Sequence, residues 1–242
     1  MAHSPCVLSL PDVTSSLHLL LGRLSHFTDA PLQLAGMEVA GQEVWTVQSG
    51  DLPGTGLVAV PAQTPPLPPL PPHAHARRRQ EQAAGRTCAA EALRRAGWTG
   101  SLSLGRGPGG APSWPPGFSG SLAHSGALAL AVTGPSTLAL GLDLEERSPL
   151  LSGPALLRHV LRESAFKAAF PTAQVPFDPA AFAVTVLTPD RAELTLTRTL
   201  APGWVRGQRL RAVWAQTTGH LAALTCQPLH PLFQDPVSQE LP

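Results

Sequence analysis

The chain predicts an α+β fold, on three observations. Two stretches carry apolar residues at the three- and four-residue spacing of helices, one run alternates strictly with period two, and the C-terminal third is a series of short apolar runs between turn residues. At 242 residues with 43% hydrophobic content, the chain makes one large domain or two small ones and has enough apolar material to bury a core.

Within residues 1–60, apolar patches alternate with turn residues, and Glu38 to Val47 and Leu57 to Val60 read as short strands. Leu17 to Leu24 is too short and too interrupted to span a bilayer, and no basic region precedes an apolar run. Neither a signal peptide nor a membrane helix is expected. Pro61 to Pro72 cannot be helix or central strand, because proline fixes φ and removes the donor N–H; it reads as a stiff polyproline connector, with a docking ligand as the alternative use. A helix is expected from Ala76 to Ala96, stopped by Gly97. Arg78, Arg79 and Arg86 can share one of its sides, either as a basic stripe for a phosphate or as a solvated face.

Gly105 to Gly110 matches G-x-G-x-x-G formally, but it contains a proline and leads into Trp114-Pro-Pro rather than opening a helix, so no dinucleotide site is read there. Ala127 to Val132 and Thr137 to Glu145, separated by Gly134-Pro135, read as a hairpin or adjacent strands. In the second run Leu138, Leu140, Leu142 and Leu144 take one face, and Ala139, Gly141, Asp143 and Glu145 take the other. A second helix runs from Pro154 to Phe170 and is expected to end at Pro171. Phe182 to Leu187, Ala192 to Thr199, Val205 to Trp214 and Gly219 to Cys226 complete the strands.

A formal net charge of +1 provides no general field for nucleic acid, so partners must be chosen by local patches. Cys6, Cys88 and Cys226 are odd in number and far apart, which argues against a disulfide framework or a zinc site and fits a reducing cytoplasm. Lys167 is the only lysine, set against sixteen arginines, in a chain without asparagine, isoleucine or tyrosine. Lysine is a compact point charge on a flexible stem, suited to meeting a phosphate oxygen.

Asp143 and Glu145 point the same way across one strand, and Glu163 stands one helical turn before Lys167. Three carboxylates can hold a hard cation together with phosphate oxygens, and an ammonium beside them can meet the phosphate. His124, just before the first of the two strands, can donate to the same group. The plainer reading is an i, i+4 salt bridge between Glu163 and Lys167, with Asp143 and Glu145 exposed at a strand end.

The motifs Arg77 to Arg86, Pro112-Ser-Trp114-Pro-Pro-Gly117, Gly120-Ser-Leu-Ala-His124, Gly141-Leu-Asp143-Leu-Glu145 and Glu163-Ser-Ala-Phe-Lys167 follow one another in a recognisable order. The set resembles the 4'-phosphopantetheinyl transferases, in particular the enterobactin-synthase-associated branch of the surfactin type, over about Arg77 to Pro171. The resemblance implies transfer of the phosphopantetheine arm of coenzyme A to a serine of an apo acyl- or peptidyl-carrier protein, releasing adenosine 3',5'-bisphosphate. The setting it implies is secondary-metabolite biosynthesis, siderophores included. It further implies Asp143, Glu145 and Glu163 as Mg²⁺ ligands, Glu163 also as the base for the carrier serine, and Lys167 as the group meeting charge on the pyrophosphate. His124 would contact the phosphate region, and Arg79 and Arg86 the 3'-phosphate end.

The implied fold is a pseudo-dimer of two similar α/β halves in a monomer, residues 1–125 and 126–242, with the ligand cleft between them. Four departures accompany the resemblance. Ala123 stands where a serine usually precedes the histidine, Gly110 where a basic residue often precedes Ala-Pro with Arg106 nearby, and Arg162 where a lysine adjoins the glutamate. Only 17 residues separate Glu145 from Glu163, fewer than is typical. A degenerate coenzyme A-binding module and a scaffold docking through Pro61 to Pro72 are the two alternative readings.

Overall fold

The computed structural model describes residues 13–26, 31–50, 56–68, 75–148 and 152–229. Helix α1 (Val13–Leu24) comes first and buries Leu17, Leu20, Leu21 and Leu24, a one-sided leucine stripe that the sequence reading left unassigned. Strands β1 (Gln33–Glu38) and β2 (Glu43–Gln48) form a hairpin where a single strand from Glu38 to Val47 is expected; Gly41 N–H donates to the Glu38 carbonyl and turns the chain. Strand β3 (Val58–Pro61) pairs with β2. Helix α2 (Ala76–Arg95) follows and ends with Gly97 at φ +91°, as its sequence predicts. A short ribbon, β4 (Gly105–Arg106) with β5 (Pro112–Ser113), leads to β6 (Phe118–Ser125) and β7 (Leu128–Pro135).

The remaining elements are β8 (Leu138–Glu146), α3 (Gly153–Ala173), β9 (Phe182–Leu187), β10 (Arg191–Leu196), β11 (Arg209–Gln216) and β12 (His220–Pro228). They close a mixed α+β molecule built on two five-stranded antiparallel sheets, ordered β3-β2-β1-β7-β6 and β8-β12-β11-β10-β9. In each sheet the strand before the long helix lies at one edge and the strand after it at the other. The layouts differ in one respect: β1 and β2 precede α2, whereas β11 and β12 follow α3.

Strand periodicity explains the layering. Ala35, Met37, Ala129 and Ala131 face Ala84, Cys88 and Ala92 of α2, while their neighbours Leu34, Leu128, Leu130 and Val132 point the other way. There they meet Leu140, Leu142 and Leu144 of β8 and the leucine stripe of α1. The opposite face of the second sheet, with Ala212, Leu221 and Ala223, packs on Val160, Leu161, Ala165 and Ala168 of α3. The order is therefore α2, first sheet, central core with α1, second sheet, α3.

Two further expectations are corrected. β7 and β8 are not a hairpin: Gly134 to Thr137 carries the chain from one sheet to the other, because the leucines of both strands face the same central core from opposite sides. The passage between the two sheets comes after β7. Helix α3 runs through Pro171 to Ala173 and ends at Gln174, φ +54°. Proline's fixed φ is helical, and this late in the helix its missing N–H leaves only the Lys167 carbonyl without its usual partner. Residues 62–68 form neither helix nor strand, in keeping with a polyproline connector, and they are tied to the neighbouring fold. Thr87 Oγ1 donates to Thr64 Oγ1 at 3.1 Å, and Ser103 Oγ donates to the Pro66 carbonyl at 2.8 Å. The rest of the proline-rich stretch, and Cys6, lie outside the described residues; Cys88 and Cys226 are buried free thiols.

Candidate active site

Gly141 sets the distance between β8 and α3. A Cβ there would fall well inside van der Waals contact with the Ser164 carbonyl and the Ala168 amide, so only glycine lets the helix backbone approach this closely. Ser164 is wholly buried and its Oγ lies 2.8 Å from Thr225 Oγ1, which fixes the rotation of the helix on the sheet. The turn of α3 that carries Glu163 and Lys167 is thereby laid beside Asp143 and Glu145.

Lys167 Nζ donates to Asp143 Oδ1 at 2.6 Å. Asp143 is buried, and its Oδ2 has no hydrogen-bond partner among the protein atoms. An orphaned buried carboxylate oxygen is costly, and a second cation would relieve it. The expected Glu163–Lys167 salt bridge does not form. Glu163 Oε1 lies 3.6 Å from His159 Nε2, one turn earlier on α3, a neighbour that sequence reasoning passed over. Glu145 completes the group; burial, then the Asp143 charge, raises its pKa, with Glu163 adding to the rise and His159 and Lys167 opposing it. Its carboxylate therefore sits within the influence of every other member.

His124 lies within β6, not at a turn before a strand, close to the end of β6. Burial lowers its pKa, Glu81 raises it, and the Lys167 and Arg78 charges lower it further. The Lys167 charge is thus felt at His124, although His124 belongs to the first sheet and Lys167 to the helix on the second. Glu81 Oε2 stands 3.6 Å from His124 Nδ1, while Glu81 Oε1 accepts from Arg77 Nε at 2.9 Å. Glu81 was not singled out by sequence reasoning, although it follows Arg77 at the i, i+4 spacing of a helical pair.

An open cleft of about 590 Å³ spreads from His124 across Arg77, Arg78, Arg86, Arg106 and the Gly109-Gly110 turn. Arg86 is buried and uses its Nη1 to bind the Leu104 and Gly105 carbonyls, at 2.7 and 3.1 Å, so it pins the loop that forms one wall. Arg79 is exposed and is not among the residues lining this cleft; Arg77 and Arg78 are. A cleft rich in guanidinium groups beside a carboxylate–lysine cluster suits a ligand that carries phosphates at one end and reacts at the other. Among the described residues no three carboxylate, imidazole or thiol groups already stand at metal-ligand separations. The donor set is nonetheless all hard oxygen, and with the orphaned Asp143 Oδ2 it fits Mg²⁺ or Mn²⁺.

Residues 69–134 match the family model described as the 4'-phosphopantetheinyl transferase N-terminal domain. No curated protein matches the chain. The family match spans Arg79, Arg86 and His124 and stops with β7, ahead of Asp143, Glu145, Glu163 and Lys167. The likeness to that family's N-terminal domain thus covers about a quarter of the chain. Among the described residues no helix is long and apolar enough to cross a membrane.

Proposed function

We propose that the protein transfers the 4'-phosphopantetheine arm of coenzyme A to a serine hydroxyl of an apo acyl- or peptidyl-carrier protein, releasing adenosine 3',5'-bisphosphate. What supports this reading is the Lys167–Asp143 pair, with Glu145 under the charges of Asp143, Glu163 and Lys167, together with an arginine-lined cleft that includes His124. The two sheets, each with one long helix on its outer face, support the pseudo-dimer layout.

Arg77, Arg78 and Arg106 are placed to take the phosphorylated end of coenzyme A, with Arg86 holding the cleft wall. His124 lines the cleft with Glu81 Oε2 3.6 Å from its Nδ1, and its Nε2 is the edge proposed to face a phosphate. Asp143, Glu145 and Glu163 would hold Mg²⁺, which when bound supplies Lewis-acid stabilisation of the pyrophosphate. Glu163 takes the proton of the carrier serine, directly or through a water. The serine oxygen then forms the new bond to the phosphorus that bears the pantetheine arm, and the bond from that phosphorus to the bridging oxygen breaks. The departing bisphosphate keeps the electron pair, and Lys167 meets its charge. Lys167 must leave Asp143 at least in part to do so, which its half-exposed, flexible stem permits.

The experiment is mass spectrometry of an apo carrier protein incubated with coenzyme A and Mg²⁺. A phosphopantetheine mass shift that chelator abolishes and Glu163→Gln removes is the expected result. The 17-residue connection between Glu145 and Glu163 favours the second reading, a coenzyme A-binding module without turnover. That reading predicts calorimetric binding of coenzyme A with no shift on any carrier.

A further inference from the structure

The two sheets meet along β6 and β8, which lie side by side without a backbone ladder between them. Two serines of β6 make the join. Leu142 N–H donates to Ser121 Oγ at 2.9 Å, and Glu146 N–H donates to Ser125 Oγ at 2.9 Å. Each partner is four residues further along its own strand, so the strands run parallel and are stitched by hydroxyls. Strand β6 carries His124, and β8 carries Asp143 and Glu145. The stitch therefore sets how the phosphate-facing half sits against the carboxylate half.

The two serines are not equivalent. Ser121 is buried and its stitch falls behind the site, at Leu142 of the central core. Ser125 Oγ accepts from β8 in the same way, but its own proton is directed at Glu145 Oε2, 3.4 Å away. At that length the bond orients the carboxylate rather than holding it tightly. Gly126 follows at φ +60°, a left-handed turn that favours glycine.

We propose that Ser125 is a positioning residue for the metal-binding carboxylates: its hydroxyl, anchored on the Glu146 amide, orients Glu145 toward Asp143 and Glu163 and ties that orientation to His124 one residue away. The proposal rests on the metal site proposed above. Hydrogen bonds that orient ligating carboxylates raise metal affinity without touching the ion, and their loss characteristically weakens binding about ten-fold or more.

The test is titration of the full chain with Mn²⁺, followed by electron paramagnetic resonance in the presence of saturating coenzyme A, for the wild type and the variants Ser125→Ala, Ser125→Thr and Ser121→Ala. Ser125→Ala is expected to raise the Mn²⁺ dissociation constant about ten-fold while coenzyme A affinity without metal stays near wild type. Ser125→Thr, which keeps a hydroxyl, is expected to recover most of the loss. Ser121→Ala removes the same kind of stitch without a carboxylate at its end, so it is expected to lower thermal stability and leave Mn²⁺ affinity unchanged. Equal Mn²⁺ affinity in Ser125→Ala and wild type, or an equal loss in Ser121→Ala, overturns the positioning role alone. If the wild type binds no Mn²⁺, the metal site itself falls and the positioning role with it. Should Ser125→Ala fail to fold, Ser125→Thr against Ser125→Cys, which keeps the size but has a weaker donor, makes the same comparison; equal affinity in those two overturns the proposal.

Discussion

Lys167 is the residue at which composition and geometry meet. It is the single ammonium of the chain, and it reaches across from α3 to Asp143 rather than along its own helix to Glu163. A guanidinium in its place is planar and broader and cannot both stay within reach of Asp143 and turn to a phosphate with the same ease. Lys167→Arg is therefore expected to lower the transfer rate about ten-fold and Lys167→Ala about 10²-fold, both with coenzyme A binding retained. Wild-type turnover in Lys167→Arg, measured by the carrier mass shift, would leave the choice of lysine without a chemical reason. Arg86 makes a contrasting case. Its charge is committed to two backbone carbonyls, so Arg86→Ala is expected to cost about 2 kcal/mol in denaturant unfolding, whereas Arg78→Ala should weaken coenzyme A binding with little change in stability. Of the three arginines expected on one side of the helix, Arg78 and Arg86 line the cleft and Arg79 does not, a division that spacing cannot give because it carries no information on which arginine finds a carbonyl.

At the scale of the element, α3 and β8 form the unit that makes the site. Both were readable: the strand from its strict alternation and the helix from its apolar spacing. Their mutual approach depends on Gly141 meeting the Ser164 to Ala168 stretch, and that contact joins residues far apart in sequence. Gly141→Ala is expected to destabilise the protein by about 3 kcal/mol or more, through overpacking that the helix backbone cannot relieve by a rotamer change. It should also lower Mn²⁺ affinity, because Lys167 and Glu163 move with the helix. A midpoint of chemical denaturation equal to wild type would show that the helix can back away at no cost. Whether β7 and β8 pair and how far α3 runs past Pro171 are settled by packing against other elements, whereas the β1–β2 turn is made locally, by Gly41 N–H donating to the Glu38 carbonyl.

For the molecule as a whole, stability depends on pH through the join between the sheets. Burial lowers the pKa of both His124 and His220 below the ordinary 6.5. A histidine with a lowered folded pKa binds fewer protons folded than unfolded, so its contribution is fully present above that ordinary value and is lost as pH falls through it toward the folded pKa. Glu145, raised by burial and by Asp143, has the opposite sign: it favours the fold in acid, and that contribution is lost as pH rises through the carboxylate range. Between pH 8 and 5.5 the histidines dominate, and the melting temperature is expected to fall. His220, buried with Nε2 unpartnered beside Glu146, should account for a clear share, so His220→Gln is expected to flatten the profile. A melting temperature independent of pH across that range would show that neither imidazole is desolvated as packed.

By itself the sequence determined the α+β class, the long helices with the glycine that stops the first of them, and the alternating strand with its two carboxylates. These are local properties, written in periodicity, backbone preference and side-chain type. Only the tertiary structure decided that Lys167 pairs with Asp143, that Glu163 faces His159, that Glu81 stands near His124, and that serines join the two sheets. Each of these contacts depends on which faces bury against one another, and burial is a property of the packed whole: two sheets share one central core, and that shared core brings β6 beside β8.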